Sequence, residues 1–157
     1  MLSKGKGKGR GNGSGRAKGY ASLKGKELLI EGSSDFHNKI RTIMLSPSFK
    51  GIPAYQEVPI QFFDSEEKSI LFVDWFIPLF SLAIELQGEH HYRPINFSGS
   101  ASVGDLNYRF LKQRTRDNLK ANILLESGIN YCAIPYYDKD KLNESYLVKI
   151  IKSVQEE

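Results

Sequence analysis

Apolar positions recur at helical spacing in three stretches of this chain and in runs or alternation in four others. Phe36, Ile40, Ile43 and Met44 share one helix face; Ser33-Ser34-Asp35 before them offers an N-cap, and Ser46-Pro47 after them is a stop. Gln56 to Phe63 reads as a strand whose Pro59 belongs at an edge or bulge, because proline gives no N–H to a ladder. Asp64-Ser-Glu-Glu-Lys68 then forms a polar connection to two aromatic and β-branched runs, which flank Pro78-Leu79-Phe80-Ser81. The proline opens a tight turn between antiparallel strands. Pro94 to Gly104 has loop composition, and a long helix runs from Gly104-Asp105 to Ser127-Gly128. Leu106, Phe110, Gln113, Asp117, Lys120 and Leu124 form its inward stripe. Ile129 to Pro135 is a buried strand, and Leu142, Tyr146, Ile150 and Val154 mark a closing helix. The order is αβββαβα, an α/β protein without internal repeats.

The hairpin carries the chemistry. If its turn centres between Leu79 and Phe80, partner positions sum to 159, and Asp74 stands opposite Glu85. Facing Cβ atoms are roughly 4.5 to 5.5 Å apart, and like charges there need a cation or a proton between them. Gln87 shares the face of Glu85, and Glu89 does too if the strand continues, while Ile84 and Leu86 point into a core. Trp75 has core parity. The middle of the long helix stripe is polar at Gln113, Asp117 and Lys120; burying such groups unpaired is costly, so they should meet the polar face of the hairpin.

Charge divides the chain in two. The protein has 157 residues, with 22 Lys/Arg and 18 Asp/Glu. Residues 1 to 26 hold eight of the cations (Lys4, Lys6, Lys8, Arg10, Arg16, Lys18, Lys24 and Lys26), eight glycines and no acid, so the rest has 14 cations against 18 acids, a net −4. Residues 1–32 are expected to be a flexible basic arm and 33–157 one globular domain. Such an arm suits a polyanion, since neutralising phosphates releases counterions; an acidic membrane surface would also attract it. A phosphate-binding glycine loop is disfavoured, because no strand precedes the glycines and no helix follows them. With no apolar run of about 18 residues and no signal-peptide apolar core, the expectation is a soluble cytoplasmic protein of a bacterial or phage-infected cell. Cys132 is the one cysteine, which excludes an internal disulfide and a multi-cysteine zinc site.

Taken together, the hairpin continuing into Gly88-Glu-His-His-Tyr92, Arg116-Asp117 with Lys120, Gly128-Ile129 and Ile134-Pro-Tyr136 give a resemblance. The chain resembles the PD-(D/E)XK nuclease superfamily, and within it the very-short-patch-repair-like endonucleases with their phage-borne and homing relatives, over roughly residues 33 to 137. The resemblance implies a restriction-endonuclease-like αβββαβ core with a mixed sheet, followed here by a C-terminal helix. It implies Mg²⁺, with Mn²⁺ as a substitute, held by Asp74, Glu85 and the carbonyl of Leu86, and a metal-bound water that cuts a phosphodiester of DNA. Gln87 stands where the superfamily usually has lysine, and can orient a water but supplies no charge. Lys120 is expected to supply that charge, with Asp117 or a phosphate as its partner. Many relatives carry a glutamate on the first helix, where this chain has only Asp35 and His37. His91 matches the motif as a proton donor or phosphate contact. Arg114 and Arg116, with forked donors, and Lys4, Lys6, Lys8, Arg10, Arg16 and Lys18 of the arm suit DNA phosphates. The resulting expectation is a metal-dependent endonuclease of repair, recombination or homing acting on duplex or branched DNA, with a Holliday-junction resolvase as a variant. A homodimer is compatible with it. The competing class is a non-catalytic nucleic-acid binder on a degenerate nuclease fold.

Overall fold

In the computed structural model, which describes residues 34–64, 67–97 and 99–156, helices and strands follow the expected order. The basic arm, including Lys4, Lys6, Lys8, Arg10, Arg16 and Lys18, lies outside the described residues. Helix α1 (Asp35–Met44) starts at Ser34, whose hydroxyl accepts the His37 N–H at 3.4 Å, and it buries Phe36, Ile40, Ile43 and Met44. Asp35 is therefore not the cap. It is the first helical residue, exposed and paired with Lys139 at 3.2 Å.

Strands β1 (Tyr55–Asp64), β2 (Glu67–Ile77), β3 (Leu82–Gln87) and β4 (Asn130–Pro135) form one sheet in that order. The first two pairings are antiparallel and β3 with β4 is parallel. Pro59 sits on the edge strand β1, where a missing donor is tolerated. Of the expected polar connection, the described residues Asp64, Glu67 and Lys68 are strand, with Phe63 opposite Lys68 and Asp64 opposite Glu67. Ladder bonds join backbones, so a polar sequence does not end a ribbon whose register is already set.

The hairpin has the expected register: Trp75 faces Ile84, Phe76 faces Ala83 and Ile77 faces Leu82. Pro78–Phe80 make one 3₁₀ turn, and Ser81, at φ 45°, closes it by donating its N–H to the Pro78 carbonyl at 2.9 Å. After Gln87 the strand gives way to a 3₁₀ turn, Glu89–His91. The His90 ring folds back so closely that a Cβ on residue 88 would meet it at 3.0 Å, so a larger residue there would push the exposed ring aside.

Helix α2 (Val103–Glu126) crosses from β3 to β4. Ser102 caps it by taking the Asp105 N–H at 3.1 Å, and Gly128, at φ 72°, lets the chain leave it. Helix α3 (Glu144–Gln155) is capped by Asn143. Its buried line is Leu147 and Ile151, with Tyr146, Ile150 and Val154 half-buried beside it. Apolar residues on both lines make a wide stripe, and the inward rotation of the helix is settled by packing against the sheet.

Three layers result. Phe36 and Ile40 of α1 and Leu147 and Ile151 of α3 pack with Trp75, Ile77 and Ile84 on one sheet face. On the other face Val58, Val73, Phe76 and Ala83 meet Leu124 of α2. Each large apolar side chain so buried contributes about 1.5 to 3 kcal/mol. No helix among the described residues is long and apolar enough to cross a membrane.

Candidate active site

The site begins where the sheet splits. Pairing of β2 with β3 covers only Trp75–Ile77, and pairing of β1 with β2 runs on either side of Glu57 and Asp74 but skips them. Both strands depart from alternation there. Tyr55 and Val58, three apart, lie in the α2-side core, and so do Phe76 and Val73. One extra residue in each strand leaves the register unchanged and frees Asp74 from the ladder on both sides. Its carboxylate bridges the gap: Oδ2 accepts the Leu86 N–H at 2.6 Å, and Oδ1 lies 3.6 Å from His37 Nε2 on α1.

Glu85 points to the other helix layer. It is only 6% exposed, and Lys120 of α2, 8% exposed, donates to its Oε1. Its other oxygen, Oε2, is buried and has no hydrogen-bond partner among the described residues. Burial, with Asp74 beside it, raises the Glu85 carboxyl to about 7, although Lys120 pulls it down. The two acids thus feel each other's charge while one leans on His37 and the other on Lys120. The partner of Lys120 is Glu85 and not the expected Asp117, because at this point of the helix the stripe passes directly over β3 and Lys120 is carried inside.

Asp117, one turn earlier, joins His91 instead. Its Oδ2 lies 2.7 Å from His91 Nδ1, and Gln113 donates to its Oδ1 at 2.8 Å. Burial pushes the Asp117 carboxyl up, but the His91 hydrogen bond and charge, with Gln113 and Lys120, outweigh it and hold the group below its ordinary value. An ionised Asp117 only accepts, so His91 Nδ1 carries a hydrogen and Nε2 is the ring atom left to exchange one. The Gln87 carbonyl accepts from the Tyr92 hydroxyl at 2.6 Å. Gln87, His91 and Arg114 line one cleft of about 350 Å³.

The remaining expectations divide. Arg114 lies over the Phe110 ring, 5.9 Å from its centroid, at the edge of the cleft; Arg116 is exposed on α2 outside it. Glu89 does not extend the strand face, since the chain has already turned, and it pairs with Arg93. His37 and Gln56 were not expected as site residues. Only the placement of the first helix hinted at His37, and nothing in the sequence marks the break in alternation that brings β1 to it. No family model, no curated protein and no solved structure matches the chain.

Proposed function

We propose that this protein is a metal-dependent DNA endonuclease that hydrolyses phosphodiester bonds, built on a restriction-endonuclease-like core. The observation that carries the reading is Glu85: a buried carboxylate with one oxygen on Lys120, the other unpartnered, and Asp74 close by. Natural proteins seldom keep such an arrangement for stability alone, because an unsatisfied buried charge costs several kcal/mol, about 3 or more. The donors suit a hard divalent cation such as Mg²⁺, or Mn²⁺ in its place. Asp74, Glu85 and the Leu86 carbonyl would hold it, and when bound it would polarise a phosphoryl oxygen and lower the pKa of a water.

The other roles fall to this chain's own groups. Lys120 neutralises Glu85 in the free protein and places one positive charge beside developing phosphoryl charge, the task for which Gln87 has no charge. Asp117 accepts the His91 Nδ1 hydrogen and would stabilise the imidazolium, from which the Nε2 proton can pass to a leaving oxygen, leaving the neutral Nδ1–H ring. Tyr92 holds Gln87 in one orientation, which leaves the amide N–H₂ to aim a water or a phosphate oxygen. Arg114 supplies a forked donor at the cleft edge, and Arg116 with the basic arm extends the contact along the backbone.

That same Tyr92 bond favours a second reading. A Gln87 tied to a tyrosine is one step from a site that binds DNA without cutting it. Supercoiled plasmid, mismatched duplex and four-way DNA, each incubated with the protein and Mg²⁺ or Mn²⁺, separate the two. Nicked or linear product that Asp74→Asn eliminates is the expected result. Retained DNA binding without product on any of the three would give the non-catalytic reading instead, and cutting confined to four-way DNA would make the enzyme a resolvase.

A further inference from the structure

We infer that His37, Glu57 and Asp74 form a further cation site, selective for a transition metal such as Mn²⁺ or Zn²⁺, on the α1 side of the sheet, which shares Asp74 with the proposed Mg²⁺ site but not Glu85. One donor atom from each residue lies within 4.8 Å of the other two. His37 Nε2 and Asp74 Oδ1 are 3.6 Å apart, within the span of two donors each about 2.0 to 2.2 Å from one cation. Glu57 is exposed, so its side chain is free to close the remaining distance. Asp74 is not: Leu86 holds Oδ2, which leaves Oδ1 directed at His37.

Two features place these groups together without serving the core. Glu57 has φ 49°, a conformation that costs a non-glycine residue about 1 to 3 kcal/mol and gives no ladder pairing in return. Gln56, next to it, is only 5% exposed, with its Oε1 buried and unpartnered among the described residues and its Nε2 3.4 Å from His37 Nδ1. With that carboxamide turned over, Oε1 accepts a hydrogen from Nδ1, and Nε2 of His37 presents a lone pair toward Asp74 and Glu57. Metal-bound histidines are held in this way, by an acceptor on the ring nitrogen that does not ligate. Gln56 is thus a positioning residue. An imidazole with two carboxylates favours Mn²⁺, Co²⁺ or Zn²⁺ over Mg²⁺ and Ca²⁺, which prefer all-oxygen shells. The inference goes beyond the endonuclease reading and does not require it.

The test uses untagged full-length protein without DNA, titrated with Mn²⁺ and followed by electron paramagnetic resonance. Bound Mn²⁺ should show nitrogen coupling, which the three histidines of the chain, His37, His90 and His91, allow to be assigned. His37→Ala should abolish the coupling, His91→Ala and Glu85→Gln should keep it, and the exposed Glu57→Gln, which carries little folding risk, should weaken the nitrogen-coupled site about tenfold or more. Gln56→Leu should weaken it while leaving Mn²⁺ bound elsewhere unchanged. Saturable Mn²⁺ without nitrogen coupling, coupling that survives His37→Ala, or no saturable binding would overturn the site. Plasmid cleavage separates the two proposals: cutting without nitrogen-coupled Mn²⁺ sinks this site alone, and nitrogen-coupled Mn²⁺ without cutting sinks the endonuclease alone.

Discussion

Glu85 and Lys120 show how a pair of side chains can be half legible. The sequence placed Asp74 directly opposite Glu85 through the hairpin register, because β-turn chemistry and alternation are local rules; the observed Trp75–Ile84 pairing has that register, but the ladder ends there, and Asp74 turns to His37 while Glu85 turns to Lys120. The stripe also placed Lys120 on the inward side of α2, yet its partner depended on the height at which the helix crosses β3, which no local rule sets. The pair makes a pH prediction for the metal-free protein. A carboxyl raised from 4.5 to about 7 on folding keeps its proton while the unfolded chain loses its own, so stability falls as pH rises between these values. Urea unfolding at pH 5, 6, 7 and 8 should show that fall, and Glu85→Gln should flatten it; an equal slope in the variant would mean the group titrates normally. Lys120→Met leaves Glu85 inside without its cation. The variant should lose about 3 kcal/mol at pH 8 and less at pH 6, where the carboxyl can stay neutral. Its cleavage rate, measured on the folded fraction, should fall about 100-fold or more, the scale for removing one preorganised donor. A rate within about threefold of wild type would confine Lys120 to a structural role.

At the scale of elements, the helices and the tight turn were readable and the strand irregularity was not. Ser34, Phe36 and Ile40 specify α1 through a cap and a 3.6-residue period, which are properties of adjacent residues. The skipped pair at Glu57 and Asp74 is a compromise between two strands that must face α1 with Trp75 and α2 with Val73. Only the packed layers impose it. On the proposed function the turn at Pro78–Ser81 matters because its length fixes the register that sets Asp74 near Glu85. Ser81 occupies the left-handed region, which glycine adopts freely and a β-branched residue resists. Ser81→Gly should therefore match or slightly exceed wild-type stability, and Ser81→Val should lose more than about 1 kcal/mol. Denaturant midpoints at constant m-value measure both; a Val variant as stable as wild type would show that another turn can hold the register.

The whole molecule keeps its two charge blocks apart, and this is where the arm enters. Eight cations lie in residues 1–26, and the remaining chain is net negative, so on the proposed function non-specific attraction for DNA should come largely from the arm, and the proposed chemistry from the described domain. Composition alone revealed that division. How the arm would meet DNA was not legible, because a glycine-rich segment has no apolar face from which to infer contacts. Counterion release turns the division into a measurable slope. Each phosphate neutralised on duplex DNA contributes about −0.9 to the dependence of log affinity on log salt, so deleting residues 1–26 should make the slope shallower by up to about 7 if all eight cations engage. Affinity should drop most at low salt and converge with wild type as salt rises. Unfolding of the truncated protein should be unchanged, since none of the described core lies in the arm. Cleavage at saturating DNA should also persist, because Asp74, Glu85 and Lys120 are untouched. An unaltered salt slope would make the arm a passenger and assign phosphate contact to Arg114, Arg116 and the exposed side of α2. A cleavage defect that saturating DNA does not repair would show instead that the arm acts on the chemical step.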